Sequence, residues 1–126
     1  MTQPASSATA ASVLIVDQSE ETREVLRTVL ERRGVDIWEA QQAADGLEIL
    51  RQHHPAVVVL DLEVDASASV QEAFENESQR SDASLVVLGR VKGARDAPSG
   101  SRTIEKPYHY GPLIRTIEQL LKRHGR

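Results

Sequence analysis

Residues 56–61 read Ala56-Val57-Val58-Val59-Leu60-Asp61, an unbroken apolar run that stops at a single carboxylate. A strand buried on both faces has this form, since neither face can carry alternate polar residues. The same pattern recurs on either side. Val13-Leu14-Ile15-Val16 ends at Asp17, and Leu85-Val86-Val87-Leu88 ends at Gly89. Thr103-Ile104-Glu105 is a shorter candidate ahead of Lys106-Pro107. Val35 to Ala40 is weaker, because Asp36 and Glu39 interrupt it, and it is expected near a sheet edge.

Between these runs the apolar period changes from two to about 3.6. Ser19 is placed to cap a helix whose first turn holds Glu20 and Glu21 and whose core face holds Val25, Leu26, Val29 and Leu30. Arg32, Arg33 and Gly34 give its stop signal. Ala43, Leu47 and Leu50 mark a second helix closed by Pro55, with His53 and His54 at its exposed end. Pro112 suits the first turn of a last helix with Leu113, Ile114, Ile117, Leu120 and Leu121 inside and basic residues in its final turn. Two connections are poorer. Residues 66–82 offer only Val70, Ala73 and Phe74 to a core, so a weak third helix is expected, and residues 90–101 predict a fourth helix that is short or absent. Strands alternating with amphipathic helices imply an α/β fold, a doubly wound five-stranded parallel sheet with helices on both faces.

The composition bounds the function. With 126 residues and 40% hydrophobic content, one domain with an ordinary core is expected, over residues 12–126 behind a flexible tail at residues 1–11. A formal charge of -4 does not suit a surface made to neutralise phosphate backbones, so direct nucleic-acid contact is not expected. The run Ala56 to Leu60 is far too short to span a bilayer, and the opening residues do not form a signal peptide. The chain has no cysteine, which excludes thiolate metal sites and disulfides and agrees with a cytoplasmic address.

In open α/β sheets, ligands gather beyond the carboxyl ends of the strands. The residues there are Asp17 and Gln18, Asp61 and Glu63, Gly89, and Lys106. Singly, an Asp after a strand is more often a turn or cap residue, and a lone lysine a solvated charge. Together, two carboxylates and a lysine can hold a hard cation and neutralise a phosphoryl group.

The motifs VLIVDQ, ADGLEIL, VVVLDLE and IEKPY resemble, in this order, those of the receiver domains of two-component response regulators. The resemblance covers nearly the whole chain after the tail. It implies a flavodoxin-like sheet in the order 2-1-3-4-5, with Asp61 as phosphoacceptor and Lys106 contacting the phosphoryl group. It assigns Mg²⁺ to Asp17, Asp61 and the backbone carbonyl of Glu63, and it implies a cis peptide before Pro107. The implied partners are a histidine kinase or histidine phosphotransfer protein, a downstream output protein or domain, and in some arrangements a second copy of the chain. No catalysis on a separate substrate is expected.

Three positions depart from the family pattern. Gln18 stands where a second metal-binding acid is usual and can offer only a neutral oxygen, so Mg²⁺ is expected to bind weakly or not at all. Gly89 stands in place of a hydroxyl residue, and Thr103 in place of a switching aromatic. The alternative reading is a phosphorylation-independent pseudo-receiver, a constitutive protein-interaction module. Asp61-Leu62-Glu63 also has a faint likeness to haloacid-dehalogenase-like phosphatases, whose further motifs need a longer chain. The chain lacks the Gly-x-Ser-x-Gly elbow of a serine hydrolase and the Gly-rich loop of a nucleotide binder.

Overall fold

The structure is a computed structural model that describes residues 11–61, 68–89, 101–104 and 108–125. In chain order its elements are β1 (Ser12–Val16), α1 (Glu20–Arg32), β2 (Asp36–Ala40), α2 (Ala43–His53), β3 (Val57–Asp61), α3 (Ala68–Arg80), β4 (Ser84–Leu88), β5 (Ser101–Ile104) and α4 (Tyr110–Gly125). The five strands form one sheet in the order β2-β1-β3-β4-β5, and every pairing is parallel. The expected fold class and strand order hold. The interrupted strand β2 is at an edge, where its intermediate burial is tolerated.

The apolar runs work because successive residues face opposite layers. Val13, Ile15, Val57, Val59, Val86 and Leu88 join Leu26 and Leu30 of α1 and Leu113, Ile117 and Leu120 of α4 in one core. Leu14, Val16, Val58, Leu60, Leu85 and Val87 join Leu50 of α2 and Phe74 of α3 in the other. A polar residue in any of the three inner strands would therefore face a helix layer, whichever register it took.

Local signals place the helix ends. The Ser19 hydroxyl accepts the Thr22 N–H at 3.1 Å and caps α1. Gly34, at φ +84°, takes the left-handed turn that lets the chain reverse after Arg33. His54 does the same for α2 at φ +50° without the freedom of glycine. His53 beside it stacks on Trp38 of β2, with ring centroids 3.9 Å apart.

The third helix is α3, of 13 residues within the expected stretch. Its inner face runs Val70, Phe74, Ser78, and both Phe74 and Ser78 are buried. The serine continues the face as a polar residue, so an apolar count underestimates it. The fourth helix expected to be short or absent within residues 90–101 falls largely on residues 90–100, outside the described residues; those described hold four helices, none between β4 and β5. Of the tail expected at residues 1–11, residues 1–10 also lie outside them, while the Ala11 carbonyl accepts the Asp36 N–H at 2.8 Å.

Candidate functional site at the carboxyl end of the sheet

Val16 of β1 is opposite Leu60 of β3, so Asp17 and Asp61, each the next residue, emerge side by side where the two central strands end. Neighbouring strands lie roughly 4.8 Å apart. Both carboxylates are buried, with 2% of Asp17 and 7% of Asp61 exposed. Two buried acids this close favour a cation or hydrogen-bond donors between them, since desolvation and mutual repulsion both oppose their charge.

Part of the answer for Asp17 is local. Its Oδ1 accepts the Ser19 N–H at 2.8 Å, so the turn role of an isolated Asp after a strand is real here, together with its place beside Asp61. Its carbonyl accepts Arg23 Nε at 2.9 Å. The same guanidinium reaches Glu39 of β2 at 3.2 Å, and Arg27 reaches the other Glu39 oxygen at 2.5 Å. That hydrogen bond and charge hold the Arg27 guanidinium above its ordinary value. The end of β1 is thus fastened to α1 and to the sheet edge by one carboxylate and two arginines.

Gln18, next to Asp17, is exposed. Gly89 is buried, its N–H donates to the Ile104 carbonyl at 2.9 Å, and its φ of +134° is one that residues with a Cβ rarely adopt. Thr103 is exposed on β5 opposite Val87, so a small residue there leaves no hole in the core. Lys106, Glu63 and the Lys106-Pro107 peptide lie outside the described residues.

Sequence reasoning missed one wall of the site. Tyr108 and Tyr110 pack edge to face with centroids 6.0 Å apart, and the Tyr110 hydroxyl donates to Thr22 of α1 at 3.4 Å. Burial first, and then the nearby Asp17, Tyr110 and Asp61, push the Tyr108 hydroxyl up to about 12, against a lowering hydrogen bond with Thr22. The aromatic directly after Lys106-Pro107 was the available signal.

The donor set can be weighed against Mg²⁺. The two adjacent carboxylates of Asp17 and Asp61 suit a hard cation that keeps several of its waters, and the exposed Gln18 next in sequence adds no charge to them.

The chain spans about half the length of two curated relatives. One is the transcriptional regulatory protein CseB of Streptomyces avermitilis, 29% identical over 90% of this chain and 50% of that protein. The other is the probable transcriptional regulator ycf27 of Porphyridium aerugineum, 28% identical over 88% and 48%. Protein PilH of Pseudomonas aeruginosa is matched over 98% of its own length, at 26% identity and 88% of this chain. Among solved structures, the receiver domain of Francisella response regulator 1452 superposes with a TM-score of 0.74 at 20% identity, covering 90% of this chain and 98% of that one. The receiver domain of PhyR from Erythrobacter litoralis gives 0.72 at 21%, covering 94% and 95%. The sequence profile of the response regulator receiver domain matches residues 13–88, from the first residues of β1 to the end of β4, and the chain belongs to that family.

Proposed function

We propose that the chain is the phosphoacceptor module of a two-component relay, with Asp61 as the acceptor. The observation that carries this is the pair of buried carboxylates at the ends of neighbouring central strands. In the transfer, an Asp61 oxygen attacks the phosphorus of a phosphohistidine on a histidine kinase or phosphotransfer protein. A P–O bond forms, the P–N bond breaks, and the imidazole leaves with the electron pair. Mg²⁺ held by Asp17, Asp61 and the Glu63 carbonyl would offset the charge of the phosphoryl oxygens. Asp17, held by the Ser19 N–H, presents its carboxylate beside the acceptor. Lys106 would answer the phosphoryl charge from the turn after β5, and Tyr108 keeps its proton and closes one side with its ring. The signal would pass by protein contacts to an output protein or domain, in the cytoplasm. Among the described residues, no helix is long and apolar enough to cross a membrane.

A second reading is the constitutive interaction module, favoured by the lack of a hydroxyl at Gly89 and of a second acid at Gln18. Acetyl phosphate with Mg²⁺ separates the two readings. Phosphoacceptance requires that the protein gain one phosphoryl mass and that Asp61→Asn gain none. No gain in the wild type supports the constitutive module, and an equal gain in both proteins removes Asp61 from the assignment.

A further inference from the structure

Asp17 is held through its N–H, its side chain and its carbonyl. The N–H donates to the Ala40 carbonyl at 3.0 Å, Oδ1 accepts the Ser19 N–H at 2.8 Å, and the carbonyl accepts Arg23 Nε at 2.9 Å. Peptide groups are planar, so a bond on the amide before a residue and another on the carbonyl after it restrain both of its soft dihedrals. They therefore set the direction in which Cβ leaves the chain. The first of these bonds comes from the sheet. The second comes from a long side chain, which is only as fixed as whatever holds its other end.

Glu39 holds that end. It is opposite Ile15, on the face of the sheet that α1 covers, where Ile37 two residues earlier is apolar. One of its oxygens accepts Arg23 Nη1 at 3.2 Å and the other accepts Arg27 Nη1 at 2.5 Å. The two arginines are one helical turn apart and reach it from the same side of α1. The side chains of Arg23 and Glu39 are mostly covered, with 16% and 22% exposed. Stability alone does not select such a pair, since apolar residues of similar volume often serve as well or better in its place. A guanidinium fork does what an apolar residue cannot, spanning the Asp17 carbonyl and the Glu39 carboxylate at once.

We propose that Arg23 and Glu39 are positioning residues for the acidic site: Glu39 fixes the Arg23 guanidinium, which fixes the Asp17 peptide and with it the line of the Asp17 carboxylate beside Asp61. The inference rests on the reading of Asp17 and Asp61 as a Mg²⁺ and phosphoryl site, on which both residues act through Asp17. Partners standing behind the ligands of a metal site commonly alter its affinity by about ten- to a hundredfold. Charge alone has a different signature. Arg23 is cationic and Glu39 anionic, so through-space attraction would make loss of Arg23 strengthen Mg²⁺ binding and loss of Glu39 weaken it. Positioning makes both losses weaken it, and their combination too, although the two charges then cancel.

Titrate MgCl₂ at constant ionic strength into the ¹⁵N-labelled wild type, Arg23→Met, Glu39→Leu and the double variant, following the amide signals of Asp17 and Asp61. The double variant removes both charges together and guards against a single variant that fails to fold. Mg²⁺ should bind about tenfold more weakly to Arg23→Met and to the double variant, and more weakly than wild type to Glu39→Leu. Unchanged or tighter binding to folded Arg23→Met, or wild-type affinity in the double variant, overturns the positioning role alone. Unchanged binding to folded Glu39→Leu removes Glu39 from it. A wild type that binds no Mg²⁺ overturns the inference together with the metal assignment beneath it.

Discussion

Gly46 of α2 lies so close to Val16 of β1 that a methyl group on its Cα would come within 2.7 Å of Val16 Cγ2 and 3.2 Å of Phe74 Cζ. Glycine inside a helix ordinarily costs about 1 kcal/mol relative to alanine. Here the close approach reverses that preference. Gly46→Ala should lower stability, because overpacking of about 1–3 kcal/mol exceeds the helical gain. Urea unfolding of the variant gives the answer directly, and a more stable Gly46→Ala would show that α2 can retreat from the sheet at little cost.

Gln18 tests the electrostatics of the site. Gln18→Asp adds a third carboxylate at an exposed position beside two buried ones, so the metal-free protein should lose up to about 1 kcal/mol. Mg²⁺ should then bind about tenfold more tightly than in the wild type, equivalent to roughly 1.4 kcal/mol. Melting temperature measured against Mg²⁺ concentration reports both effects, since a ligand specific for the native state stabilises it by mass action. Identical curves for the two proteins would mean that Gln18 does not contribute to the metal site.

Restoring a hydroxyl at position 89 should not be a simple gain. Gly89 has φ +134°, where a β-branched residue is strained. Gly89→Thr should cost about 1–3 kcal/mol, and Gly89→Ala a comparable amount. If Gly89→Thr unfolds at the wild-type urea midpoint, the backbone there relaxes freely into an ordinary conformation.

Tyr108 predicts a limit on alkaline stability. Its hydroxyl is raised to about 12 in the fold, while an unfolded tyrosine titrates near 10. The folded state holds the proton more tightly. Its stabilising contribution is thus complete below pH ~10 and is lost as pH rises towards ~12. The side chain is half-buried, so solvent screening reduces the effect to about 1 kcal/mol. Tyr108→Phe should flatten the decline in stability between those pH values. An unchanged slope in the variant would assign the decline to other groups.

The fold was legible because burial on both faces leaves a continuous apolar record in β1, β3 and β4, each closed by a residue with a different task. Asp17 and Asp61 could be read as a pair, since strand order makes consecutive ends meet. The full inner face of α3 could not, because the buried Ser78 interrupts its apolar stripe. Tyr108 was hidden for another reason. An aromatic in a loop has no period to mark it, and its place follows only from the return of the chain to α1, where the neighbouring Tyr110 bonds Thr22. The positive φ of Gly89 was equally invisible, because an absent side chain and a required glycine look the same in one sequence.

The position of β1 has a consequence for synthesis. It leaves the ribosome before the other strands of this sheet, yet both of its neighbours, β2 and β3, are encoded later. Val13, Leu14, Ile15 and Val16 must wait, exposed, until Val57 to Leu60 emerge and the loop between them closes. During that interval the nascent chain carries an apolar segment with no place to bury it, which is the condition in which chaperones bind and chains associate wrongly. The most protected strand of the finished protein is thus the most vulnerable one during its making.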